Sequence, residues 1–141
     1  MQKNIYEIFT EFNNATTRED KINILRKNDC YALRGVLVGG LAPYVKFSIL
    51  KLPEYKKDHH MPPGMSYSSL HHEIGRAYIF EIGNPRVSPQ LTDKRKSEIL
   101  LQMLEVLEPK EAEVFGNMLM KDLKIPDLTL ELVQEAFPGL I

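Results

Sequence analysis

The chain has 141 residues, 43% of them hydrophobic and 26% charged. This is the make-up of one ordinary globular domain spanning residues 1–141, long enough to bury roughly two thirds of the surface its unfolded chain exposes, and it excludes a disordered polymer. The net charge of −1 excludes the overall basic excess of a dedicated nucleic-acid binder, so any basic face must be local.

The N-terminus, MQKNIYEIF, lacks the uninterrupted apolar stretch of a secretory leader. Ile5, Ile8, Phe9 and Phe12 instead recur at helical spacing and predict an amphipathic helix that Asn13 and Asn14 close. Thr16 with Glu19, or Thr17 with Asp20, is a capping-box pattern. Either register starts a helix through Asn28 that buries Ile22, Leu25 and Ile24. Asp29 is placed to cap a third helix, roughly Cys30 to Val38, with Gly39-Gly40 as its C-cap. The tight links between the three predict an antiparallel cluster. Val36 to Ala42 is among the longest apolar runs and falls far short of the roughly 20 residues a membrane span needs. Cys30 is the only cysteine, so no internal disulfide or thiolate zinc site can form, which fits a reducing, intracellular compartment.

The segment Tyr44 to Leu52 is partly alternating and reads as a short strand or a helix turn. Residues 53–67 read as a long loop, because Pro53, Pro62, Pro63 and Gly64 exclude regular structure. Ser68 or Ser69 caps a helix to about Glu81, and a second Pro/Gly loop runs from Gly83 to Pro89. Thr92 caps a helix through Leu107 with an Ile99, Leu100, Met103, Leu104, Leu107 face. Pro109 opens the next helix, which buries Val114, Phe115, Met118 and Leu119 and ends near Leu123. Thr129 caps a last short helix that stops before Pro138-Gly139. The expectation is an all-α domain of six to eight short helices with at most a minor strand pair.

Charge is uneven along the chain. Residues 1–96 carry 15 Lys/Arg against 10 Asp/Glu, whereas residues 97–141 carry 3 against 9. Two basic clusters stand out, Lys46/Lys51/Lys56/Lys57 and Arg86/Lys94/Arg95/Lys96, both beside Pro-rich loops with Tyr44, Tyr55 and Tyr67 nearby. That mixture suits a phosphate backbone or stacked bases, and equally a solvated face. Lys94 to Lys96 sit in a helix's first turn, the end where positive charge is disfavoured, which points to selection by something other than the helix. The histidines come as adjacent pairs, His59-His60 and His71-His72. Adjacent side chains on a helix diverge by about 100°, so neither pair suits a metal. Cys30 has no base or orienting group in its neighbourhood, and Gly39-Gly40 lacks the lysine of a phosphate loop. No catalytic constellation, metal or cofactor is expected.

The C-terminal stretch MLMKDLKIPDLTLELVQEAFPGLI resembles the end of the helical DNA-binding domain of ATP-dependent DNA ligases, above all those of T-even-type bacteriophages. In that family the segment runs Met-basic-Asp-Leu, then Gly-x-Ser, then a helix ending in Trp-Pro-Gly-Leu-Ile. Met120, Lys121, Asp122, Leu123, Thr129 and Phe137 to Ile141 match it. The opening IYEIFTEFNNATTREDKINILRKN follows the family's first helix, Thr/Ser turn and second helix, so the similarity spans nearly the whole chain at low identity. The sequence is also similar to short proteins carried by T-even-like phages of marine cyanobacteria.

The resemblance implies a domain that grips duplex DNA through its minor groove and backbone, working in the cytoplasm of a phage-infected host cell. The ligase continues beyond this point to its adenylated lysine, whereas this chain stops at Ile141 and contains no Lys-x-Asp-Gly, so ligase activity is not implied. Lys121 keeps the family's basic position, Lys124 lies beside it, and Thr129 keeps a hydroxyl at a helix start, where backbone N–H groups can receive a phosphate. The family's glycine is absent, Pro126 and Asp127 fill its neighbourhood, and Glu131 and Glu135 add negative charge. Two readings follow. One is a stand-alone, non-catalytic DNA-binding accessory of phage replication or repair, using the two clusters with Lys121, Lys124 and Thr129. The other is a protein–protein adaptor on the same fold whose partner is a sliding clamp, another replication protein or a host protein.

Overall fold

A computed structural model describes residues 3–55 and 66–141. Lys56, Lys57, His59, His60 and most of the Pro-rich loop lie outside the described residues. Within them the chain forms seven α-helices and no strand. They are α1 (Ile5–Asn14), α2 (Arg18–Lys27), α3 (Tyr31–Leu41), α4 (Leu70–Glu73), α5 (Asp93–Val106), α6 (Pro109–Leu119) and α7 (Leu130–Ala136), with a 3-10 segment, Ile74–Phe80, continuing α4.

Helix α1 forms because its four apolar residues fall on one stripe, and all four are buried. Its N-terminus is a capping box built by Asn4 and Glu7. Thr17, not Thr16, caps α2 by accepting the Asp20 N–H. The α1–α2 pair packs as a hairpin, and α7 closes on α2. Helix α3 does not stay in that cluster. It packs instead on α6, α4 and the 3-10 segment, and α6 also carries α1 and α5, which makes it the central helix. Phe80 and Phe115 meet edge to face there, with ring centres 6.4 Å apart.

Four further expectations change. The cap of α3 is Cys30, whose Sγ accepts the Leu33 N–H, because the Asp29 carboxylate is taken up by Arg34 at 2.6 and 2.9 Å. Gly39 and Gly40 lie inside α3 rather than ending it. A Cβ on Gly39 would sit 2.7 Å from Met118 Sδ, and one on Gly40 2.7 Å from Leu123 Cγ; Gly39 lets α3 and α6 approach closely, and Gly40 makes room for the turn that follows α6. The segment after Tyr44 is neither strand nor helix turn but makes one antiparallel bridge, Phe47 to Glu81. Finally, α6 ends at Leu119, short of Leu123, in a Schellman turn: the Lys121 N–H donates to Met118 O and the Asp122 N–H to Asn117 O. Lys121 occupies the left-handed position that glycine usually takes there, with φ 59°.

Candidate nucleic-acid interface

The Phe47–Glu81 bridge joins the segment that carries Lys46 to the one that leads into Arg86. Ile82 N–H donates to Lys46 O at 2.8 Å and Ser48 N–H to Phe80 O at 2.7 Å. This seats the segment carrying Lys46 and Lys51 against the start of the loop carrying Arg86. Lys46 and Lys51 are exposed. Arg86 is exposed too, with its guanidinium stacked 4.1 Å from the centre of the Tyr78 ring and its N–H bonded to the Asn84 side chain. Lys94 and Arg95 are exposed on the first turn of α5, Lys96 is half-buried, and Arg95 pairs with Glu98 on its own helix at 3.0 Å.

Of the C-terminal candidates, Lys121 lies beside the bridge, its ammonium 5.8 Å from the centre of the Phe47 ring. Lys121 Nζ donates to the carbonyls of Gly39 and Ala42, at 2.6 and 2.9 Å. Those are among the last carbonyls of α3, which have no partner within the helix, so the ammonium closes that helix end. Burial against α3 lowers its affinity for a proton. Thr129 Oγ1 accepts the Leu132 N–H and caps α7, so its hydroxyl serves its own helix. Lys124 is also left-handed, with φ 59°, and its backbone N–H donates to Asp122 Oδ1.

The acidic C-terminal residues find cations on α2. Arg18 bonds Glu135 at 2.8 Å, Lys21 lies 3.6 Å from Asp127, and Arg26 donates to the carbonyls of Glu135 and Ala136. The uneven charge along the sequence is thus partly cancelled by the fold.

Beside the bridge, between α3 and the 3-10 segment, opens a cleft of about 330 Å3. Val38, Val45, Phe47 and Met118 give it an apolar floor, while Tyr31, Arg34, Tyr78, Glu81 and Arg86 line its walls. Tyr31 is 73% exposed. Arg34 is held by the Asp29 carboxylate, which its hydrogen bonds keep below the usual carboxylate range. Glu81 accepts from Asn84 Nδ2 at 3.0 Å. Of the sequence-predicted residues only Arg86 lines this cleft; Tyr31, Arg34 and Tyr78 were not foreseen. For Tyr31 the signal was the second stripe of α3, where Tyr31, Gly35, Val38 and Gly39 recur at helical spacing.

Among the described residues no three His, Cys, Asp or Glu side chains are grouped to hold a metal ion. No helix among them is long and apolar enough to cross a membrane. Fold and cleft together define an all-α domain with a cleft lined by tyrosine, arginine and glutamate side chains beside the Phe47–Glu81 bridge. The chain belongs to a family of unknown function, DUF6433, whose model matches residues 8–127. No curated protein matches it.

Proposed function

We propose that this chain is a non-catalytic DNA-binding accessory of phage-type DNA replication or repair, meeting the duplex along the edge formed by Lys46, Lys51 and Arg86, with Lys94 and Lys96 as further contacts. The observation that carries this reading is the Phe47–Glu81 bridge, which joins two basic loops that the sequence holds far apart. Exposed lysines beside tyrosines supply phosphate contact without sequence preference, in keeping with the ligase-like resemblance. Lys121 and Thr129 leave the set, since both are engaged in closing helix ends.

A gel-shift titration with nicked and intact duplex tests it. Binding is expected to weaken steeply between about 50 and 200 mM salt. The combined change of Lys46, Lys51 and Arg86 to Ala is expected to flatten the log–log salt slope by about 2 to 3. No shift at about 50 mM salt removes the reading.

A second reading, the protein–protein adaptor, rests on a different feature of the same edge. Leu50 is 95% and Ile82 63% exposed, and both flank the bridge, where an apolar side chain in water suits a protein partner. The double change of Leu50 and Ile82 to Ser separates the two. It leaves DNA affinity intact on the first reading and abolishes co-purification of a stoichiometric partner on the second.

A further inference from the structure

We infer that the cleft between α3 and the 3-10 segment takes a single unstacked nucleobase, so that the protein prefers DNA carrying unpaired nucleotides to intact duplex. The inference rests on the DNA-binding reading and deepens it. At about 330 Å3 the cleft is at the lower end of small-ligand pockets, roughly 300–1,000 Å3, too small for a base pair. Its lining includes the apolar Val38, Val45, Phe47 and Met118 and the Arg86 guanidinium, 4.1 Å over the Tyr78 ring centre. A flat aromatic ligand can continue such a stack. Inside a duplex both faces of a base are covered by its neighbours, so only an unpaired base is free to enter.

Gly75 provides a clean obstruction. It lines the cleft, and a Cβ built there meets nothing within 4 Å, so a larger side chain narrows the cleft without disturbing the core. Fluorescence anisotropy compares a blunt duplex, the same duplex with an overhang of about four nucleotides, and that overhang made abasic. The overhang is expected to bind about tenfold more tightly than the blunt form, and the abasic overhang to lose that gain, since stacking is the added interaction. Gly75→Leu and Arg86→Ala are each expected to remove the gain, with circular dichroism and melting temperature reporting an intact fold for both. Equal affinity for blunt and overhang DNA, an abasic overhang that binds as well as the normal one, or a folded Gly75→Leu that keeps the preference overturns the inference and leaves duplex binding standing. Failure to bind any of the three at about 50 mM salt overturns both.

Discussion

Glu111→Gln removes a titrating group from the junction of α1 and α6. The side chain is buried, 1% exposed, and accepts the N–H groups of Ile5 at 2.8 Å and Tyr6 at 3.3 Å, which open α1 and have no partner within it. Burial pushes its pKa from 4.5 up to about 7; the two N–H bonds oppose that rise, and Glu108 and Glu7 add to it. Because the folded value lies above the unfolded one, the folded chain holds this proton more tightly. Its contribution to stability is therefore full below about pH 4.5 and is lost as pH rises to about 7. At about 1.4 kcal/mol per pH unit, that interval amounts to about 3 kcal/mol at most, or about 6–12 °C of melting temperature for a chain this size. Other groups titrate in the same window, so the informative quantity is the difference between wild type and Glu111→Gln, whose amide does not titrate. Urea unfolding of both at pH 5 and pH 8 is expected to give a difference that moves by about 2–3 kcal/mol against wild type at the higher pH. Glu111→Ala, which strands both N–H groups, is expected to cost about 2–4 kcal/mol at pH 5, and less at pH 8 by the same titration difference. A wild-type-minus-Gln difference that is the same at both pH values refutes the reasoning.

Lys121→Met keeps an unbranched side chain but removes the ammonium from the end of α3; a loss of about 1–3 kcal/mol in denaturant unfolding is expected, with the salt slope of DNA binding unchanged. At the same position Gly should be more stable than Ala by about 1 kcal/mol, because only glycine takes the left-handed backbone without strain. Gly40→Ala drives a methyl into Leu123 and is expected to lower stability by about 1–3 kcal/mol, whereas Gly75→Ala, in open space, should change it by no more than about 0.5 kcal/mol. Thermal melts of the glycine pair check this contrast, and equal effects would mean that the contact of α3 with Leu123 is not close-packed.

The helices were legible where one apolar stripe faces one core. The residues expected on the inner faces of α1, α5 and α6 are all buried, and Thr17, Thr92 and Thr129 cap as threonines before helices do. What escaped reading was set by contacts between distant segments. Gly39-Gly40 has the local pattern of a helix stop, and only the Met118 and Leu123 side chains across the interface turn it into a helix interior. The 3-10 geometry of Ile74–Phe80 is likewise invisible to a periodicity that still reads as helix. The cleft was out of reach for the same reason: Tyr31, Tyr78 and Arg86 belong to three segments that the Phe47–Glu81 bridge and α3 packing bring together.

Charge was the most misleading signal when read along the chain, and the reason is physical. Helix ends leave carbonyls and amides without partners, and this fold closes several of them with charged side chains from other helices. Lys21 reaches Phe12 O at the end of α1, Arg26 the last carbonyls of α7, Lys121 those of α3, and Glu111 the first amides of α1. Each places the sign that the helix dipole favours at that end. A cation so engaged is a poor phosphate ligand, because binding DNA through it would reopen a helix. Counting Lys121 with the clusters therefore overstated the C-terminal grip, and counting Glu135 and Asp127 as bare repulsion overstated the acidity there. Lys46, Lys51, Arg86, Lys94 and Lys96 close no helix end in the contacts of the described residues; the first three lie in the two loop regions and the last two on the first turn of α5. A surface that keeps its charge out of the helix-capping scheme is the one on which a partner's phosphates can act.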